Sequence, residues 1–204
     1  MNIGQLSLVL LKVVLIISLI LTSITFFKDG RRRGDVHKYM YAVACILTSL
    51  YLTGYLLQSY LEPGIRVILL NVIDWMFISG IVLLLTGLGI MIRLSKPKIA
   101  RAPAILAYLP VLILIVYPFV IETLLLKDFL YNLLFAGAML ISFMMFIILS
   151  QRNKNYYKIV VAVSLFTIAL ISNVLGYSLY IVLVLLIIGT IMVNTTYKRN
   201  LLEI

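Results

Sequence analysis

The sequence has few residues of the types that build reactive sites. Its 204 residues include one cysteine, Cys45, one histidine, His37, and only seven acidic residues. A single cysteine excludes an intramolecular disulfide, and one cysteine with one histidine cannot complete a zinc or bis-histidine haem site. The sequence also contains no nucleophile–base pair and no phosphate-binding glycine loop. It therefore indicates a non-enzymatic protein and predicts neither a cofactor nor a metal.

Apolar residues, in contrast, are abundant. They make up 64% of the chain, whereas a soluble domain carries about 45–50%. The excess predicts that the lipid bilayer is a partner. The chain also has 17 Lys and Arg against 7 Asp and Glu, a net charge of +10. Because these cations form short clusters between apolar runs, they indicate membrane topology and no nucleic-acid partner.

The apolar runs predict an all-α membrane protein, a seven-transmembrane-helix bundle in a single domain over residues 1–204. A spanning helix needs about 20 apolar residues. The predicted helices cover residues 5–27, 40–61, 65–92, 103–121, 129–150, 158–175 and 177–196. Only a short turn, marked by Asn173 and Gly176, separates the last two, so a merged interpretation with six spans stays open here.

The charges of the connections predict a direction for the chain. Basic clusters follow every odd-numbered span and no even-numbered one; they lie at residues 28–38, 93–101, 152–158 and 198–199. The positive-inside rule then puts the N-terminus outside and the C-terminus in the cytoplasm. We expect a multi-pass protein of the cell membrane.

Small residues indicate where the helices approach one another closely. Gly80, Gly87 and Gly89 lie on the third span, and Gly137 lies between two alanines on the fifth. Small side chains let helix backbones pack tightly in lipid. We therefore expect close helix contacts at these glycines.

Two ionisable side chains fall inside the predicted spans. Lys12 lies on the first span and Asp74 on the third. Each charge costs about 2.5–3.5 kcal/mol inside a membrane. At 1.5 Å per residue, the two lie roughly 10 and 14 Å below the outer ends of their helices. We therefore expect Lys12 and Asp74 to form an ion pair or to share a water-filled pocket.

Further polar side chains lie at a similar depth. On the second span they follow helical spacing, and on the third span Asn71 precedes Asp74 by one turn. The predicted ligand-binding set is Lys12, Tyr51, Tyr55, Gln58, Asn71 and Asp74. These residues predict an outward-facing polar pocket for a small-molecule ligand. The alternative, that they only fix helix register through hydrogen bonds, stays open.

The first hundred or so residues resemble a known kind of membrane region. The matching features are the basic turn at Lys28 to Arg33, the stretch from Tyr55 to Glu62, and a long third helix with Asn71, Asp74 and Trp75. In these features the chain resembles the seven-helix N-terminal sensor region of bacterial histidine kinases. The resemblance implies a bundle that senses a signal and passes it to a cytoplasmic output domain. Because only residues 200–204 follow Arg199, we expect output through a cytoplasmic or membrane protein partner.

These observations predict a receptor-like or sensory module that takes part in signal transduction. Two alternatives stay open. One is a small-solute or ion transporter or channel that uses Lys12 and Asp74, which the scarcity of polar residues in the inner half disfavours. The other is an accessory structural subunit of a membrane complex.

Overall fold

The computed structural model describes residues 3–95, 101, 103–112, 114, 124–152 and 154–202. Six helices in this part of the chain are long and apolar enough to cross a membrane. They are α1 (Ile3–Arg33), α2 (Val36–Leu57), α3 (Pro63–Ser95), α4 (Leu124–Arg152), α5 (Tyr157–Val174) and α6 (Leu179–Leu202). Short 3₁₀ helices cover Gln58–Tyr60, Ala104–Tyr108 and Lys154–Tyr156.

The all-helical prediction is confirmed for the described residues. Helices α1, α2 and α3 correspond to the first three predicted spans, and α4, α5 and α6 to the last three. In the fourth predicted span, 103–121, residues 113 and 115–121 lie outside the described residues, and the described part contains the 3₁₀ helix Ala104–Tyr108. This span therefore stays a prediction. The merged interpretation of the last two spans is wrong, because α5 ends at Val174 and Gly176 reverses the chain with φ +73°. The Tyr177 N–H donates to the Ser172 carbonyl at 2.9 Å, as in a glycine-terminated helix end.

The connection between α1 and α2 is much shorter than the apolar runs predict. Instead of a loop over residues 28–39, only Gly34 and Asp35 separate the two helices. Gly34 has φ +68°, a conformation that glycine adopts without steric cost. The prediction was wrong because apolar length reports where lipid ends, whereas a helix can continue into charged sequence beyond it.

The six helices pack in chain order and the order closes on itself. Each described helix contacts the next one, and α6 also packs against α1. One apolar cluster contains buried side chains from all six: Phe26, Tyr41, Ala42, Leu88, Met91, Met145, Phe146, Ile159, Val163 and Tyr197. We call the end of the bundle near this cluster, where α1 ends in Arg31 to Arg33, the basic end. The opposite end, where α1 begins, is the N-terminal end.

The first and last helices run in the same direction. Near the start of α1, Ser7 lies 3.0 Å from the Tyr180 hydroxyl on α6. Near its end, Thr25 donates to Asn194 at 2.7 Å. The contacting residue numbers increase together along both helices, so α1 and α6 are parallel.

Helices α3 and α4 are also parallel. The Phe77 and Phe135 rings stack with their centroids 6.5 Å apart. Further along both helices, Leu88 and Met91 share the apolar cluster with Met145 and Phe146. Helices α3 and α4 thus follow one another among the described helices and run in the same direction.

The glycines of α3 mark close contacts, as expected. A Cβ atom on Gly87 would lie 2.6 Å from Cε1 of Tyr41 and 3.2 Å from the His37 carbonyl oxygen. Gly80 approaches Thr48 of α2, and Gly89 approaches Ala107. For Gly137 the expectation is not met among the described residues, because no side chain and no other helix in this part of the chain lies within 4 Å of a Cβ atom placed there. On α4 it is Ala138 that is completely buried.

Gly87 and Gly137 provide a matched test of packing. We expect Gly87→Ala to lower the free energy of unfolding by about 1–3 kcal/mol, the usual cost of overpacking. The same methyl group in Gly137→Ala meets open space, and we expect no loss of stability. Thermal unfolding of both variants in maltoside detergent measures the difference. Equal midpoints would contradict the close approach of α2 and α3 at Gly87.

Candidate functional site

Lys12 and Tyr55 meet at the N-terminal end of the bundle. Lys12 is half-buried on α1, and its Nζ lies 4.9 Å from the centroid of the Tyr55 ring on α2. An ammonium within about 6 Å of a ring centroid is attracted by the negative face of the ring. An aromatic face therefore stabilises the charge of Lys12. The predicted ion pair between Lys12 and Asp74 stays a prediction, since the contact described for Lys12 is with Tyr55.

A row of aromatic rings continues from Tyr55 across the bundle. The centroid distances are 6.3 Å from Tyr55 to Tyr51, 4.7 Å from Tyr51 to Phe77, and 6.5 Å from Phe77 to Phe135. These distances are within or near the range of favourable ring pairs. We call these four rings the aromatic row. With Lys12 at its end, the row connects α1, α2, α3 and α4.

Asp74 lies beside this row. It is half-buried and precedes Phe77, whose ring packs against Tyr51, by one helical turn on α3. The structure therefore brings four of the predicted site residues into one region: Lys12, Tyr51, Tyr55 and Asp74.

The other two predicted residues take less part. Gln58 is the C-terminal cap of α2, where its backbone N–H donates to the Gly54 carbonyl. Asn71 is exposed on α3, one turn before Asp74. Among the described residues, no contact joins either side chain to the aromatic row.

Sequence reasoning missed Phe77 and Phe135. An apolar aromatic in a spanning helix has the same pattern as any packed core residue. The available signal was that Phe77 follows Asp74 by one turn, as Tyr55 follows Tyr51.

A second group of charged residues lies at the basic end. The Asp29 side chain is only 1% exposed. Its Oδ1 accepts from Arg33 Nε at 2.9 Å, and its Oδ2 lies 2.7 Å from Lys38 Nζ. The same ammonium lies 2.6 Å from Oδ2 of Asp35, and the Lys38 side chain is 6% exposed. We call Asp29, Arg33, Asp35 and Lys38 the charge cluster; its two negative and two positive charges balance.

The short connection between α1 and α2 assembles the charge cluster. Asp29 and Arg33 are four residues apart on α1, which puts them on adjacent turns. Asp35 is the N-cap residue of α2, but its side chain makes no capping hydrogen bond and binds Lys38 instead. Lys38 therefore ties the first turn of α2 to the last turns of α1.

Aromatic side chains connect the charge cluster to the apolar cluster. The His37 ring packs edge-on at 5.8 Å from Tyr41, whose hydroxyl donates to the Met91 sulfur at 3.4 Å. Phe26 packs against Tyr197 with the ring centroids 4.7 Å apart. The charge cluster therefore lies next to the apolar cluster, where all six described helices meet.

Helix α1 contributes Lys12 at the end of the aromatic row and Asp29 in the charge cluster. Asp29 lies on its buried face with Ser18 and Thr22, whose hydroxyls donate to carbonyls of α1 itself at 2.8 Å. Lys12 lies at the edge of that face, toward α2. The 17 residues from Lys12 to Asp29 correspond to about 25 Å of helix. One helix thus links the aromatic row to the charge cluster.

No family model, curated protein or solved structure matches this chain. Within the part of the chain that the structure describes, no group of three His, Cys, Asp or Glu residues is arranged to hold a metal ion. The aromatic row, the charge cluster and α1 are therefore the features of the described residues that bear on function.

The charge cluster predicts that the stability of the protein depends strongly on Lys38. We expect Lys38→Met to destabilise the protein by about 3–5 kcal/mol, because it leaves the buried Asp29 carboxylate and the partly exposed Asp35 carboxylate without their shared cation. Lys28→Met removes an exposed charge from the same segment and should have little effect. The double variant Asp29→Asn, Lys38→Met should recover part of the lost stability. Thermal unfolding of the purified variants measures these effects. An unchanged unfolding midpoint for Lys38→Met would contradict the buried charge cluster.

Proposed function

We propose that this protein is an integral protein of the cell membrane with seven crossings, an outer N-terminus and a cytoplasmic C-terminus. The parallel direction of α3 and α4 supports a further crossing between them, and residues 96–123 are enough for one span of about 20 residues. The parallel direction of α1 and α6 independently supports an odd number of crossings. The cationic residues at the basic end support a cytoplasmic location for that end.

Cysteine labelling tests this topology. In a Cys45→Ala background, we expect Ser59→Cys, in the exposed turn after α2, to react with an impermeant maleimide in intact cells. We expect Arg31→Cys and Lys198→Cys, both exposed at the basic end, to react only after permeabilisation. Labelling of Lys198→Cys from outside would contradict seven crossings.

We further propose that the protein is a non-enzymatic, receptor-like sensory module. The observation that carries this proposal is that α1 contacts α2 through Lys12 and Tyr55 at one end and through Asp29 and Lys38 at the other. A ligand that changes the first contact changes the position of α1 relative to α2. The charge cluster then transmits that change to the basic end, because it binds both helices.

The output of this module would be the exposed basic surface. Lys28 and Arg31 are exposed on α1, and Lys158 and Lys198 are exposed at the same end on α5 and α6. A change in the position of α1 alters the spacing of these charges, which an acidic cytoplasmic or membrane protein partner can recognise. The resemblance to histidine-kinase sensor regions stays a prediction.

A distance measurement tests the coupling of the two ends. In the Cys45→Ala background, spin labels at Arg31→Cys and Lys158→Cys report the separation of α1 and α5 at the basic end. We expect Lys12→Met to change the distance distribution, because it removes the contact with Tyr55. Leu10→Met, on the exposed side of α1, should leave the distribution unchanged.

Two outcomes would reject the sensory proposal. If Lys12→Met leaves the distance distribution unchanged, the two ends are not coupled, as expected of an accessory structural subunit. If proteoliposomes show ion or solute flux that Asp74→Asn abolishes, the protein is a transporter or channel.

A further inference from the structure

The surroundings of Lys12 favour positive charge. The ring face of Tyr55 carries a negative electrostatic potential, and Tyr51 offers a second ring 6.3 Å away. Asp74 adds a half-buried carboxylate one helical turn from Phe77, whose ring centroid lies 4.7 Å from that of Tyr51. Aromatic faces beside a carboxylate are the usual chemistry by which proteins recognise organic ammonium groups. The structure already contains one ammonium on the Tyr55 ring, and this ammonium belongs to the protein.

We propose that Tyr55, Tyr51 and Asp74 form a binding site for a small organic ammonium ion, and that Lys12 occupies the Tyr55 face when no ligand is bound. This inference rests on the proposed sensory function and names the class of ligand. Lys12 is then an internal competitor, and the ligand replaces one ammonium by another on the same ring.

The described residues do not enclose the Tyr55 ring. Tyr55 is 45% exposed, and the Lys12 side chain is only half-buried near the beginning of α1. A lysine has a flexible four-carbon stem and can extend its ammonium toward the membrane surface. Lys12 can therefore leave the Tyr55 ring without its charge entering the apolar part of the bundle.

An anionic ligand fits this region less well. It would contact the Lys12 ammonium, but the negative faces of Tyr51 and Tyr55 and the Asp74 carboxylate would repel it. The two ligand classes give opposite predictions for one substitution. Removing the lysine charge weakens the binding of an anion, whereas it frees the ring face for a cation.

Choline and its neutral carbon isostere, in which carbon replaces the ammonium nitrogen, are suitable probes. Trp75, the single tryptophan, adjoins Asp74 and reports binding through its fluorescence. The protein is studied in maltoside or in nanodiscs of phosphatidylglycerol and phosphatidylethanolamine, because phosphatidylcholine would itself offer choline groups. We expect a saturable change with choline and none with the isostere.

Substitutions then identify the site. We expect Lys12→Met to raise the affinity for choline by roughly threefold to tenfold, and Tyr55→Leu to lower it by about the same factor, on the usual strength of cation–π contacts. Tyr55→Phe keeps the ring face and should retain binding. Leu10→Met controls for a change on the exposed side of α1. Thermal midpoints in the same buffer show that each variant is folded.

Three results would overturn the proposal: weaker choline binding by folded Lys12→Met, equal binding of the neutral isostere, or no saturable signal in any folded variant including Lys12→Met. These failures differ from failure of the sensory function. Choline binding with the expected variant pattern but an unchanged distance between positions 31 and 158 would leave the site standing and reject the sensor. A distance that responds to Lys12→Met without any choline binding would reject only the ligand class.

Discussion

The arrangement of this bundle depends on one buried carboxylate. Removing an ion from water costs several kcal/mol even after the protein relaxes, so Asp29 requires its two cations. Arg33 comes from the same helix, but Lys38 comes from α2 and also binds Asp35. Because only Gly34 and Asp35 separate the helices, these contacts fix how α2 leaves α1. The same pair of helices makes its other charged contact where Lys12 meets Tyr55.

Helix α1 packs against α6 as well as against α2. Ser23 donates to the Ala42 carbonyl of α2 at 2.9 Å, and Thr25 donates to Asn194 of α6 at 2.7 Å. Helix α1 is thus held by hydrogen bonds on two sides, one turn before the charge cluster. A movement of α1 at this level has to displace α2 or α6, and both contribute to the apolar cluster. Under the proposed sensory function, α1 would therefore be the element that carries a signal between the two ends.

The sequence allowed the helices to be predicted well because bilayer thickness dictates the length of an apolar run. It also indicated the similar depths of Lys12 and Asp74, and the face shared by Tyr51 and Tyr55. It did not reveal the charge cluster, because a count of net charge describes residues 28–38 as basic and hides two acids that are used internally. Nor did it reveal Phe77, because an aromatic residue in a uniformly apolar helix carries no periodic signal. Both omissions concern which side chains meet, and that depends on tertiary packing.

The contact between Lys12 and Tyr55 is weaker than the ion pairs of the charge cluster. A cation–π contact contributes about 0.5–2 kcal/mol, whereas breaking a buried ion pair costs about 3–5 kcal/mol. A ligand can shift a conformational equilibrium only by its difference in affinity for the two states. A ligand of the proposed kind would therefore compete readily with Lys12 for the Tyr55 ring but would not open the charge cluster. It follows that a signal would move the joined ends of α1 and α2 as one unit, and the partner at the basic end would detect a displaced set of charges rather than newly released ones.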